Sequence, residues 1–162
     1  MKPALPIAPS VIRFGCVVCC AALVTLACAA AGDRSAVEYL HSGKVLPEGL
    51  PFSEVVRAGD TLYLSGQVGV APGTMELVPG GIGPETRRTM DNIALTLEEH
   101  GAAMADLVKC TAMLADISEW SSFNEIYATY FDGRFPARSA MGVNGLALGA
   151  RVEVECIAVL DN

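Results

Sequence analysis

The chain has 162 residues, of which 52% are hydrophobic, and a formal net charge of −7. This length favours a single domain. Beyond residue 31 the sequence holds nine basic and eighteen acidic residues, a net charge of −9. Such an acidic chain lacks the basic patch that grips a phosphate backbone, so we expect no nucleic-acid partner.

Residues 1–31 have the pattern of an export signal. Lys2 and Arg13 are their only charges, and a long apolar run is followed by three consecutive alanines. This pattern predicts a secretory signal peptide and an exported (periplasmic or secreted) protein, whose domain spans residues 32–162. Three alternatives stay open: an uncleaved membrane anchor, lipidation of Cys28, and a misassigned start codon that would leave the protein cytoplasmic. A membrane would be a partner only if the segment is uncleaved or lipidated.

The six cysteines divide into two groups. Four lie before residue 32, and only Cys110 and Cys156 belong to the predicted domain, each within an apolar, strand-like run. They could pair in an oxidising compartment, but we expect buried free thiols, which behave as small apolar side chains. His41 and His100 stand far from any cysteine pair, so no metal site is predicted. No phosphate-cradling glycine loop opens a helix, so no cofactor is predicted.

The first part of the domain is predicted to form short strands. Residues 37–41 alternate weakly and predict an edge strand, and the prolines and glycine of residues 44–51 predict a loop. Residues 52–57 and 61–65 predict the two strands of a hairpin. The glycine-rich and proline-rich stretch at residues 71–83 is predicted to be a loop.

Ser65, Gly66 and Gln67 interrupt the apolar alternation of the second hairpin strand. A glycine inside a strand indicates a β-bulge or a close approach of the backbone to a ligand. A simple strand end is the alternative.

Two helices are predicted, with a strand between them. The first begins at Pro84, ends at Gly101 and has a buried apolar face. That face consists of Met90, Ile93, Ala94 and Leu97. Residues 107–115 are almost all apolar, which indicates a central strand buried on both faces. The second helix is predicted from its N-cap Ser118 to Gly133, with four aromatic residues in the core. These are Phe123, Tyr127, Tyr130 and Phe131.

Two more strands, at residues 137–143 and 151–160, complete the order β-β-α-β-α-β-β, to which residues 37–41 add one strand at the start. This order predicts a two-layer α+β domain, a mixed sheet with two helices on one face. In the last strand, alternate apolar residues would face the helices, leaving Glu153 and Glu155 on the opposite face. A sheet face that mixes charges with apolar side chains suggests contact with a partner chain.

Arg138 is a candidate ligand-binding residue. Pro136 favours an extended chain around it, and the small side chains of Ala137, Ser139 and Ala140 leave its guanidinium open. Its planar fork suits a carboxylate, which it can bind through two parallel hydrogen bonds. Glu153 follows fifteen residues later, about two strands and a turn, so both groups could meet in one pocket. Taken alone, the pattern also fits a surface or interface ion pair.

Three motifs occur along the chain: Ser-Gly-Gln at residues 65–67, Phe-Pro-Ala-Arg-Ser at residues 135–139, and Val-Glu-Val-Glu-Cys-Ile-Ala-Val at residues 152–159. Together they resemble the Rid (YjgF-type, RidA-like) family of enamine/imine deaminases, over residues 37–160. The resemblance implies the chorismate-mutase-like fold, a homotrimer with ligand pockets between neighbouring subunits, and no cofactor.

The resemblance also implies site residues. Arg138 matches the family arginine that anchors the substrate carboxylate, and Glu153 matches the glutamate that orients or activates water. Ser65 and Gly66 match residues that contribute hydroxyl and backbone contacts.

Two positions depart from the family pattern. Phe52 stands where many members carry a tyrosine that packs over the ligand, so that hydroxyl is absent. Ala140 stands where many members have a modifiable cysteine. Its backbone groups can still contact the ligand.

These assignments predict an enzyme, a hydrolase that converts reactive 2-imino and enamino acids to 2-keto acids and ammonia. The alternative is a non-catalytic trimer that binds small carboxylates or acts as a chaperone. A ribonuclease or translation-inhibiting role, attached to some relatives, is disfavoured by the net charge of −9 beyond residue 31.

Overall fold

The computed structural model of the protein describes residues 36–161, and the predictions for residues 1–31 lie outside this range. Within it, six strands form one sheet: β1 (Val37–Leu40), β2 (Val55–Ala58), β3 (Thr61–Val68), β4 (Leu107–Leu114), β5 (Ala137–Gly142) and β6 (Val152–Val159). The two α-helices are α1 (Ile82–Glu99) and α2 (Trp120–Tyr127). Neither helix in this range is long and apolar enough to span a bilayer.

The strands are arranged in the order β1-β2-β3-β6-β4-β5. Strands β4 and β5 run parallel, whereas the other neighbours are antiparallel. Both helices contribute to one core against one face of this mixed sheet, which confirms the predicted two-layer α+β architecture. Although β5 and β6 follow each other in the chain, β4 lies between them. Strand β5 is therefore an edge strand.

The core lies between the sheet and the helices. Helix α1 begins two residues before Pro84 and ends before Gly101, whose φ of 76° is the left-handed conformation that stops a helix. Its buried apolar face packs against the inner residues of β3 and β6. This core includes Leu62, Met90, Ile93, Leu97, Phe123, Val152 and Val154.

Strand β4 differs from its prediction. Its residues alternate: Cys110 and Ala112 are completely buried, whereas Lys109, Thr111 and Met113 on the other face are partly exposed. The prediction of burial on both faces was wrong because the helices cover only one face of the sheet. The apolar run instead leaves hydrophobic side chains on the uncovered face, which we call the open face.

The start of α2 also differs from its prediction. A single 3-10 turn, Ile117–Glu119, precedes the helix, and the Asp116 carboxylate accepts the Ser118 backbone N–H at 2.9 Å. The capping side chain is therefore that of Asp116 and not that of Ser118. Of the four predicted core aromatics, Phe123 and Tyr127 are buried, and Tyr130 and Phe131 are partly buried against the same core.

Cys110 and Cys156 form a disulfide between β4 and β6. The prediction of free thiols was therefore wrong. The two residues are direct partners in the antiparallel register, which brings their side chains together on the same face. The sequence placed each cysteine in an apolar strand but did not show that the two strands are neighbours.

Candidate active site

Arg138 lies on the edge strand β5, and helix α2 fixes its side chain. It is paired in register with Cys110, whose side chain is in the core, so Arg138 points to the helix side of the sheet. Its Nη2 donates a hydrogen bond of 2.6 Å to Asn124 Oδ1. Its Cζ lies 4.4 Å from the centre of the Tyr127 ring and 5.2 Å from that of Phe123. These contacts hold the guanidinium in one orientation.

The guanidinium opens into a cleft, which we call the arginine cleft. The cleft has a volume of about 290 Å³, near the lower end of the range for small-molecule sites. Its walls are mostly aromatic and apolar: Trp120, Tyr127, Ala128, Phe135 and Pro136. Burial raises the pKa of the Tyr127 phenol, although the Arg138 charge opposes this shift. The phenol therefore remains uncharged at neutral pH.

Glu153 lies on the open face, beside the bulge predicted at residues 65–67. The register between β3 and β6 shifts between Leu64 and Gln67, which confirms the bulge. A Cβ placed on Gly66 would overlap the Glu153 carboxylate, with Glu153 Cδ only 2.9 Å away. A side chain at position 66 would therefore displace the Glu153 carboxylate. Burial, with the added charge of Glu155, raises the pKa of Glu153 above its ordinary value.

Ser65 is held by the segment that precedes β2. Its Oγ donates to Ser53 O at 2.7 Å, and its N–H donates to Glu54 O at 3.0 Å. The Ser65 hydroxyl proton is therefore already used in a hydrogen bond within the chain, and the hydroxyl oxygen can still accept a hydrogen bond from a ligand. The same segment carries Phe52, whose side chain is exposed.

Glu54 anchors this segment. It is completely buried, and its Oε2 accepts hydrogen bonds from Ser42 N at 2.7 Å and Ser42 Oγ at 2.8 Å. Its Oε1 accepts a bond of 3.1 Å from Thr96 Oγ1, and His100 Nε2 lies 3.6 Å from Oε2. Burial alone would raise the pKa of Glu54, but the bonds from Ser42 and Thr96 and the His100 charge bring it below its ordinary value.

The predicted site residues fall into two groups on opposite faces of the sheet. Arg138 and Ala140 project toward the helices, in register with Cys110 and Ala112 of the core. Glu153 lies between two buried residues of β6 and projects to the open face. One chain therefore does not bring the arginine and the glutamate together, contrary to the single pocket inferred from their spacing.

The positioning role of Asn124 and of the Tyr127 ring was not predicted from the sequence. Tyr127 was assigned to the core, which is correct, but its ring also supports Arg138. One sequence feature could have indicated Asn124: it is a polar amide next to Phe123, on a predicted helix that is lined with aromatic residues. Residues 36–161 contain no group of three or more His, Cys, Asp or Glu side chains that could hold a metal ion.

The architecture defines a class, the chorismate-mutase-like α+β proteins, here with an oriented arginine on the edge strand. The chain belongs to the Rid family: the family described as endoribonuclease L-PSP matches residues 45–160. This confirms the predicted family and fold.

Individual relatives agree with this assignment. The mouse (Mus musculus) 2-iminobutanoate/2-iminopropanoate deaminase is 44% identical over 109 residues, which cover 67% of this chain and 81% of the relative. The solved structure of the Rid family protein YyfA of Yersinia pestis is 36% identical with a TM-score of 0.73, covering 77% of this chain and 100% of its own. That of Escherichia coli TdcF with bound serine is 26% identical with a TM-score of 0.71, covering 76% and 99%. The predicted enzyme class, a hydrolytic deaminase, is confirmed by the curated relatives.

Proposed function

We propose that the protein hydrolyses reactive 2-imino acids and their enamine tautomers to 2-keto acids and ammonia. The observation that carries the proposal is the guanidinium of Arg138, held by Asn124 and Tyr127 at the arginine cleft. A fixed guanidinium can receive a carboxylate through two parallel hydrogen bonds. The names of the deaminase relatives support this assignment, as does the serine bound to TdcF, which carries a carboxylate.

In the proposed reaction, the enamine first gains a proton at C3 and loses one from nitrogen, which makes it the imine. Water then adds to C2 of the C2=N bond and forms a tetrahedral carbinolamine. The hydroxyl loses its proton and the nitrogen gains one, so that the C–N bond breaks and ammonia leaves. One water is consumed, a C2=O bond replaces the C2=N bond, and no oxidation occurs.

Glu153 is proposed to orient the water and to carry protons between it and the nitrogen. Its raised pKa supports this role, because a proton carrier works best when its pKa lies closer to the working pH. Gly66 leaves room for the carboxylate beside the β3 bulge. The backbone of Gly66 and the hydroxyl oxygen of Ser65 would then contact the ligand.

The site is proposed to form between copies in a homotrimer, where Arg138 of one copy meets Glu153 of a neighbour. The opposite orientation of these two side chains supports a shared site. The open face supports it further, because it exposes large apolar side chains, among them Tyr63 and Val159, that a neighbour would cover. Phe52 and Ala140 would complete the substrate contacts.

The proposal is tested by a coupled assay on the purified protein. A pyridoxal-phosphate-dependent dehydratase generates 2-aminoacrylate in situ, and release of the keto acid is followed with wild type and with Arg138→Ala. We expect the wild type to accelerate release and the variant to lose the acceleration. Arg134→Ala is the matched control, because Arg134 is an exposed arginine outside the arginine cleft.

Two results would contradict the proposal. A folded wild type that fails to accelerate release would favour the non-catalytic carboxylate-binding protein. Acceleration that survives in Arg138→Ala would remove the carboxylate anchor. Chaperone activity, measured as suppression of aggregation of a heated client protein, should not depend on Arg138.

We also propose that the protein is exported, with residues 1–31 as the signal peptide. The disulfide between Cys110 and Cys156 supports this localisation, because such bonds persist mainly in oxidising compartments. Mass spectrometry of the protein recovered from its native host should give a chain that begins at Gly32. A full-length cytoplasmic chain with both thiols free would contradict the proposal.

A further inference from the structure

The arginine cleft has exposed aromatic side chains in its wall. Trp120 at the start of α2 is 44% exposed, and Phe135, just before β5, is 57% exposed. Both line the cleft into which the Arg138 guanidinium opens. Large apolar side chains beside a charged anchor indicate that the ligand has an apolar part as well as a carboxylate.

The aromatic wall is ordered by a chain of ring contacts. The Phe135 ring centre lies 5.7 Å from that of Phe131, which lies 4.9 Å from that of Tyr127. Tyr127 in turn lies 5.4 Å from Phe123, in the core. These distances are typical of attractive aromatic pairs. The Phe135 ring is therefore supported by the core.

We propose that the preferred substrates are 2-imino acids with aromatic or large branched aliphatic side chains. The inference rests on the proposed function, since it takes Arg138 as the carboxylate anchor. With the carboxylate on Arg138, the substrate side chain extends along the cleft between Trp120 and Phe135. A methyl group would leave most of the volume of about 290 Å³ to water, whereas a benzyl or isobutyl group replaces that water with apolar contacts.

The experiment compares two imines made in the same way. An L-amino-acid oxidase converts phenylalanine or alanine, with O2, to the 2-imino acid and H2O2, and catalase removes the H2O2. Semicarbazide traps the remaining imine, so hydrolysis by the protein lowers the trapped signal. The measured quantity is the ratio of kcat/KM for the phenylalanine imine to that for the alanine imine. We expect this ratio to exceed one in the wild type.

The variants locate the source of the preference. Trp120→Ala and Phe135→Ala should each lower the ratio about tenfold, whereas Trp120→Phe should retain most of it. Tyr39→Ala is the matched control, because Tyr39 is 74% exposed on β1 and does not line the cleft. Circular dichroism confirms that each variant is folded.

The outcomes separate the two proposals. Either of two results overturns the proposed substrate class: a ratio that is unchanged in both alanine variants, or a wild-type ratio at or below one. In either case the proposed function still holds if the protein hydrolyses the alanine imine. If both the proposed function and the substrate class are correct, Arg138→Ala loses hydrolysis of both imines and Tyr39→Ala leaves the ratio unchanged. Full activity of Arg138→Ala on both imines overturns the proposed function.

Discussion

Arg138 depends for its orientation on two neighbours in α2, one polar and one aromatic. The amide oxygen of Asn124 takes one of its five N–H groups, and the Tyr127 ring supports its flat face. The remaining N–H groups are free to meet a carboxylate. The sequence predicted the arginine because its small neighbours leave it open. The two α2 residues could not be predicted from the local pattern, because they reach Arg138 only through the packing of the helix on β5.

Asn124 provides a test of this positioning. Asn124→Ala should raise KM about tenfold with little change in kcat, because the lost bond is to a charged group and acts on binding. Asn124→Asp should raise KM further, because its carboxylate would compete with the substrate for Arg138. Steady-state kinetics on both variants check the order. A lower KM in the Asp variant than in the Ala variant would contradict it.

Glu153 gives activity a predictable pH dependence. Its pKa is raised above the ordinary value of 4.5 by burial and by the charge of Glu155. If the ionised form activates water, kcat/KM should fall as pH falls through the raised pKa. Glu155→Gln removes the repelling charge, lowers the pKa of Glu153, and should move this acid limb to lower pH. A pH–rate profile measures the shift, and a limb that does not move would exclude the role.

At the scale of elements, Glu54 connects three parts of the fold. Glu54 itself lies just before β2. Its carboxylate contacts the loop after β1 through Ser42, and the C-terminal end of α1 through Thr96 and His100. The segment it holds also carries Phe52 and bonds Ser65. The network therefore links the stability of the fold to the placement of two predicted ligand contacts.

Glu54→Ala should lower the free energy of unfolding by about 2–4 kcal/mol, since it leaves several buried donors without an acceptor. The pKa of Glu54 is below its ordinary value in the folded protein. Its ionised form therefore stabilises the fold above about pH 4.5, and this contribution is lost as pH falls through the lowered pKa. Urea unfolding at several pH values, with Glu54→Gln as control, measures both effects. A stability gap to the Gln variant that stays constant down to pH 3 would contradict the assignment.

Most elements could be predicted from the sequence, because their signals are local. Pro84 and Gly101 mark α1, and Gly66 marks the bulge. What could not be predicted depends on which strands are neighbours. The insertion of β4 between β5 and β6 separates Arg138 from Glu153 and joins Cys110 to Cys156. Strand order is set by packing between residues distant in the sequence, and no local pattern records it.

At the scale of the whole molecule, the sheet separates the two halves of the predicted site. If two copies complete each site, two inactive variants should complement each other. Arg138→Ala supplies intact Glu153, and Glu153→Gln supplies intact Arg138. Unfolding and refolding the two together in equal amounts should restore up to about a quarter of the wild-type activity, because one pairing in four joins two intact groups. Each variant refolded alone should stay inactive. Complete absence of recovery from a mixed assembly would place both groups in one chain.

The disulfide has a consequence for how the molecule responds to proteolysis. Cys110 and Cys156 are 46 positions apart in the sequence, and the residues between them include every residue of the arginine cleft as well as Glu153. The segment from Asp132 to Phe135 is exposed and lies inside this covalent ring. A protease that cuts there leaves both cut ends tied to the same bond. The nicked protein should run as one species until a reductant separates the two fragments.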